Sequence, residues 1–267
     1  LVWTFHDCWA FTAYCPHFTM RKCDKWKAQC GQCVQRKRYS WFFDRSRELY
    51  EKKKALFTGV DLTIITPSRW LADLVKQSFL KNYPVYVLNN GINLDVFKPT
   101  PGGFRKKYDL ENKKILLDVS FEWGLRKGLS AFLELAKRLP EDYQIVLVGT
   151  DAEVDKLLPE NIISIHRTQN QLELAEIYSA ADLFVNPTRE ENYPTVNMES
   201  IACGTPVLTF RTGGSPEMLD ETCGSVVACD DVDAMEKEII CICTNKPYSE
   251  AACQKKAREF DQNKRFK

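Results

Sequence analysis

A chain of 267 residues, 44% of them hydrophobic, can cover one large core or two moderate ones. Its formal net charge of +1 excludes a uniformly basic or acidic surface, and no apolar run approaches the roughly 20 residues of a membrane-spanning helix. Leu1 opens no secretion signal, so a cytoplasmic compartment is expected, in which the eleven cysteines are reduced core thiols or metal ligands rather than disulfides.

The first expected strand is "LVWTFH", with His6 at its carboxyl end. Cys15, Cys23, Cys30 and Cys33 follow within nineteen residues, the last two in "CGQC". Four thiolates so spaced suit a structural tetrahedral zinc. The irregular spacing and the nearby Cys8, His6 and His17 leave free thiols or a disulfide as the equal alternative. The remaining cysteines, Cys203, Cys223, Cys229, Cys241, Cys243 and Cys253, read as core filler.

From Arg21 to Lys54, twelve Lys or Arg stand against four Asp or Glu, so one face of the amino-terminal part is basic. No nucleic-acid module accompanies this patch, and nucleic acid is not expected as a partner; an acidic substrate or an anionic membrane surface fits it. The helix "WFFDRSRELYEKKKALF", Trp41 to Phe57, is expected to pack its aromatics on a sheet and to solvate Arg45, Arg47, Lys52, Lys53 and Lys54. Peripheral docking on the inner face of an anionic membrane is its second reading.

Further along, "LTIITP" and "VYVLNN" read as strands on either side of a helix "RWLADLVKQSFL" capped by Ser68. "NNGINLDVFKPTPGG", Asn89 to Gly103, carries Asn-Gly and two prolines and reads as a linker between an amino-terminal domain, 1–97, and a carboxyl-terminal domain, 98–267. Then strands "KILLDVS", "YQIVLVG", "NIISIHR", "DLFVNPT", "PVLTF" and "GSVVA" alternate with helices. These helices are "AFLELAKRL", opened by Ser130, "LELAEIYSAA" from Leu172, and one holding Glu199 that Gly204 stops. Such alternation marks βαβ units: an α/β fold of two Rossmann-like domains with parallel sheets.

In "REENYPTVNMESIACGTPV", Pro194 favours a first helical turn, whose free N–H groups face the carboxyl end of "DLFVNPT". Ligands bind outside the carboxyl ends of parallel strands, so this is an expected anion site. Glu191 before the turn suits sugar hydroxyls, and Glu199 two turns on suits a ribose; the bland alternative is a solvated acidic pair.

The run Glu191, Asn192, Tyr193, Pro194 through Met198 and Glu199 to "ACGTPV" resembles the glutamate, seven residues, glutamate signature of the retaining glycosyltransferases of family 4, which have the GT-B fold. "TPSRWLAD", "VLNNGINLDVFKP", "RKG", "AADLFVNPT" and "TGGSPEML" stand in the order of that family, and "WTFHDCWAFTAYCPHF" is similar to its bacterial polysaccharide-assembly members. The resemblance implies transfer of a sugar from a nucleotide-sugar donor to a saccharide or lipid-linked acceptor, with retention and with no metal needed for catalysis. It implies that His6 meets the transferred sugar, that Lys127 with Arg126 neutralises the donor diphosphate, and that Asn192, Tyr193, Pro194, Thr195 and Glu199 bind the donor. Phe121 stands where many members carry arginine, and Asn93 where aspartate is usual. The family's first strands and glycine-rich acceptor loop would precede Leu1, so either a fragment or a reduced amino domain is expected. A GT-B epimerase or phosphorylase, and a non-catalytic nucleotide-sugar-binding module, are the alternatives.

Overall fold

Each apolar run expected as a strand forms one. The computed structural model describes residues 1–40 and 42–265 and divides into two units, Leu1–Asn89 and Asn90–Lys267. In the first unit β1 (Val2–Thr4), β2 (Thr63–Thr66) and β3 (Val85–Val87) pair in parallel in the order β1-β2-β3. Only β2 is central; Val2 on β1 and Tyr86 on β3 are 64% and 63% exposed.

The second unit holds β4 (Lys114–Val119), β5 (Tyr143–Val148), β6 (Ile162–Ile165), β7 (Leu183–Asn186), β8 (Val207–Phe210) and β9 (Gly224–Val227). All pair in parallel, in the order β6-β5-β4-β7-β8-β9. Both faces of this sheet are covered, which is why β4, β5, β7 and β8 read as nearly unbroken apolar runs rather than as alternating ones. Side chains alternate across a strand, and the neighbours Leu116 and Leu117 accordingly belong to different cores. One core gathers Leu117, Tyr178, Met198 and Phe260; the other gathers Leu116, Phe132, Leu147 and Ile239. Truncating either fully buried leucine to alanine costs about 2–5 kcal/mol. The chain runs outward from β4 through β5 to β6, then crosses back to β7 on the other side of β4. That reversal opens a crevice at the carboxyl ends of β4 and β7.

Several expected boundaries move. The units part after Asn89 rather than after Phe97, because the expected linker is anchored in the second unit. Ile92 and Phe97 are buried in its core, and Ile92 exchanges backbone hydrogen bonds with Phe260 (2.8 Å) and Gln262 (3.1 Å). The helix expected from Ser130 begins at Leu129 behind Gly128, the one expected from Leu172 begins at Gln171 behind Asn170, and the helix capped by Ser68 ends at Val75. The basic helix is Ser46–Phe57; Trp41, where it was expected to begin, lies outside the described residues, and Phe42 and Phe43 before it are exposed. Lys53 is buried instead of solvated, because its ammonium donates to the carbonyls of Trp9 (2.7 Å) and Thr12 (3.1 Å). Burial lowers this lysine to about 8. Cys203, Cys223, Cys243 and Cys253 are buried as core filler, whereas Cys229 and Cys241 are exposed. Among the described residues no helix is long and apolar enough to cross a membrane.

Candidate functional site

The loop after β4 carries Lys127, and the loop after β7 carries Glu191, so the strand order brings both to the crevice. Lys127 Nζ lies 2.6 Å from Glu191 Oε2, and both side chains are largely enclosed. Glu191 Oε1 accepts the backbone N–H of Asn192 at 3.1 Å. Two glycines permit the approach. Gly128 (φ +80°) lies so close to Pro187 that an added Cβ would sit 2.3 Å from its carbonyl oxygen, and at Gly213 (φ +53°) a Cβ would sit 1.6 Å from the Glu191 carbonyl oxygen. Gly213 belongs to "TGGSPE", whose backbone is tied to the Glu191 loop by Gly214 N–H to Asn192 O (2.8 Å) and Thr212 Oγ1 to Thr188 O (2.8 Å).

The helix Thr195–Ala202 starts beside this pair. Pro194 is its N-cap rather than its first residue, and no side chain caps it. Its first N–H groups therefore lack intrahelical partners and present partial positive charge at the end of β7. Asn192 to Pro194, expected at the sugar donor, lead into this helix, and Thr195 begins it. The Asn192 N–H is already held by Glu191, and the Tyr193 side chain is buried in the core, where burial raises its phenol to about 12. Thr195 remains exposed at the helix start, and Pro194 is buried.

Glu199, one face further along this helix, is half-buried; its Oε2 accepts from Tyr178 Oη at 3.0 Å. Burial raises its carboxyl above the usual range, with hydrogen bonds from Tyr178 and Thr195 opposing. A carboxylate has about four acceptor sites, so these two donors fix its direction without exhausting it. Arg126, expected beside the diphosphate, has its guanidinium 3.2 Å from Glu122 and 3.4 Å from the carbonyl of Glu190, so it links the loops after β4 and β7. Phe121 projects fully into solvent.

Sequence reading passed over Asp118, a carboxyl in the otherwise apolar run of β4. It is buried, and burial raises its pKa well above the carboxylate range; the Val119 N–H and Lys127 oppose this, and Glu191 adds to it. A carboxylate letter inside "KILLDVS" was the available signal. Asn186 Nδ2, at the end of β7, donates to Asn197 Oδ1 at 2.8 Å, and the buried Asn197 Nδ2 has no partner among the described residues.

In the first unit His6 lies exposed just beyond β1, at a hollow of about 250 Å³ lined also by Trp3, Asp7 and Trp9. Cys15, Cys23, Cys30 and Cys33 line a different, smaller cavity together. Burial and the nearby Cys33, Cys30 and Cys23 push the Cys15 thiol up to about 12, and burial pushes Cys30 up to about 11. Among the described residues, no three His, Cys, Asp or Glu side chains are preassembled around a metal position.

A doubly wound sheet here sets a lysine, a carboxylate and an uncapped helix start at its switch point, the place where open α/β sheets commonly take ligands. Residues 104–264 match the family described as glycosyl transferases group 1, and the chain belongs to that family. It is 23% identical over 236 residues to WcaC of Escherichia coli (strain K12), described as a colanic acid biosynthesis glycosyl transferase, covering 87% of this chain and 57% of that protein. Among solved structures, sucrose-phosphate synthase from Thermosynechococcus elongatus superposes with a TM-score of 0.72 at 22% identity, covering 88% of this chain and 61% of that one. HepE from Anabaena in complex with UDP-glucose superposes with a TM-score of 0.69 at 16% identity, covering 84% and 66%. The chain thus spans about half the length of the curated relatives it matches. These structures establish the α/β, parallel-sheet fold of the GT-B glycosyltransferases.

Proposed function

We propose that this chain carries the donor site of a retaining family 4 glycosyltransferase, which moves a hexose or related sugar from a nucleotide sugar to a saccharide or lipid-linked acceptor in surface polysaccharide biosynthesis. The observation that carries this reading is the Lys127–Glu191 pair at 2.6 Å beside the uncapped start of Thr195–Ala202. A neighbour whose structure holds UDP-glucose supports a nucleotide sugar as the donor. The acceptor hydroxyl attacks the anomeric carbon from the face of the leaving diphosphate; the new C–O bond forms as the old one breaks, and a diphosphate oxygen takes the proton. Lys127 and the helix N–H groups stabilise the charge that grows on the diphosphate, so no metal is required. Glu191 orients the sugar, and Glu199 accepts from the ribose. Exposed Arg45, Arg47, Lys52 and Lys54, with Phe42 and Phe43, suit peripheral contact with an anionic membrane on its cytoplasmic side.

Calorimetric titration of the chain with a panel of nucleoside diphosphates tests the donor site. At least one should bind with a Kd between about 1 μM and 1 mM, the range common for enzyme substrates. Silence from every member at saturating concentration removes the reading. Transfer assays with a donor panel, followed by NMR assignment of the anomeric configuration of the product, test retention.

A further inference from the structure

Between β1 and the helix Ser46–Phe57 the described chain forms only single turns of helix: Trp9–Phe11, Thr19–Arg21, Lys25–Lys27 and Arg36–Tyr39. Segments of this length without strands or longer helices are uncommon inside compact domains and need another source of order. Phe11 and Phe18 pack on Trp26, with centroids 5.2 and 4.9 Å away, and this is the segment's apolar centre. Beside it Cys15, Cys23, Cys30 and Cys33 surround one cavity of about 20 Å³. That is room for one water-sized sphere. The other side chains considered from sequence, Cys8, His6 and His17, do not line it.

Three features fit this cavity to a cation. Lys22 (φ 48°) and Gln32 (φ 46°) adopt the left-handed conformation that side chains disfavour, and each directly precedes a cavity cysteine, Cys23 and Cys33. N–H groups already point at sulfur: Gln35 Nε2 donates to Cys15 Sγ at 3.3 Å, and the Ala13 N–H donates to Cys30. Such outer hydrogen bonds orient thiolate ligands. Finally, a tetrathiolate zinc centre carries a net charge of −2, and this segment has the charge to balance it. Lys25 lines the cavity with its ammonium on the carbonyls of Gly31 (3.0 Å) and Gln32 (2.8 Å), within a stretch where basic residues outnumber acidic ones by eight.

We propose that Cys15, Cys23, Cys30 and Cys33 together bind one structural zinc ion, which fastens the segment between β1 and the basic helix. In the thiol form Cys15 and Cys33 share a hydrogen bond and the sulfurs stand around the cavity as separate groups. Zinc replaces the four thiol protons, which pass to solvent, and draws the sulfurs to about 2.3 Å from the metal. No electron is transferred. All four residues line one cavity, which favours a single ion over two disulfides.

The test uses the full chain, purified reduced and without chelator. Metal analysis should find about one equivalent of zinc, and Cys30→Ser and Cys33→Ser should each lower it below about a tenth, while Cys241→Ser, at an exposed position elsewhere, retains it. Cobalt titration of metal-stripped wild-type protein should produce the thiolate charge-transfer and ligand-field bands of a tetrahedral sulfur site, a readout that does not depend on the variants folding. Wild-type zinc below about a tenth of an equivalent together with no such cobalt bands overturns the proposal. Zinc retained by Cys33→Ser, or a disulfide among the four in the reduced preparation, overturns it equally.

Discussion

The six-stranded sheet of the second unit and the segment between β1 and Ser46 reach order by different routes. Residues of β4, β5, β7 and β8 are buried on both faces and held by parallel ladders, so the sheet fixes its own carboxyl edge. The amino-terminal segment has few ladder bonds and a small aromatic centre, and four cysteines stand around one cavity beside it. The difference teaches where chemistry is tolerated. A sheet buried this deeply can hold a strained glycine, a buried acid and an uncapped helix at its edge and still fold, whereas the amino-terminal segment has no such reserve.

The largest effect expected of this contrast is chemical. Lys127→Ala should reduce transfer by about 10²–10³-fold, comparable to losing one preorganised donor to a developing anion, while thermal unfolding hardly moves. Wild-type turnover in a transfer assay would assign the diphosphate to another cation. Glu199→Ala comes next, with nucleotide affinity weakened by about 1.5–3 kcal/mol, as for a hydrogen bond to a charged group. Unchanged affinity by calorimetry would detach Glu199 from the ribose.

Gly213→Ala probes how much strain the sheet edge can absorb. The left-handed φ and the close Glu191 carbonyl predict a loss of about 1–3 kcal/mol in stability, with weaker nucleotide binding because the Glu191 loop must shift. Unaltered denaturation and binding would show that the loop moves freely. Asp118→Asn should act in the opposite direction. Burial raises the native pKa of Asp118 above its unfolded value of 3.8, so the folded state binds this proton more tightly, and the associated stability is lost as pH rises through the native pKa. The asparagine variant should therefore melt at a higher temperature than wild type near neutral pH, with the gap closing as pH falls toward 3.8. A gap that is constant or widens toward acid contradicts this account. The smallest effect concerns the other side of the comparison: a zinc chelator should expose residues between Cys15 and Cys33 to protease while leaving nucleotide affinity unchanged. A parallel loss of affinity would mean that the two regions do not owe their order to separate causes.

The strands were legible because burial on both faces leaves unbroken β-branched runs such as "YQIVLVG", and the switch-point residues Lys127 and Glu191 were legible from the motifs around them. What the letters hid was three-dimensional pairing. Asn192 looked like an open donor, yet Glu191 takes its N–H; Tyr193 looked like a ligand, yet its ring fills the core. Arg126 has the same charge as Lys127, but its guanidinium contacts Glu122 in its own loop and the Glu190 carbonyl in the loop after β7. The Asn89 to Gly103 linker misled for a related reason. Asn-Gly and proline mark turns reliably, but turn residues do not reveal that Ile92 and Phe97 between them are buried.

The central claim is that the switch point between β4 and β7 receives the donor diphosphate. A crystal structure of this chain soaked with the nucleoside diphosphate that binds best tests it most directly. The account predicts the diphosphate at the carboxyl ends of β4 and β7, within hydrogen-bonding distance of Lys127 Nζ and the first N–H groups of Thr195–Ala202, with the ribose on Glu199. A nucleotide seated elsewhere on the molecule, at full occupancy and with this crevice left to water, would contradict it.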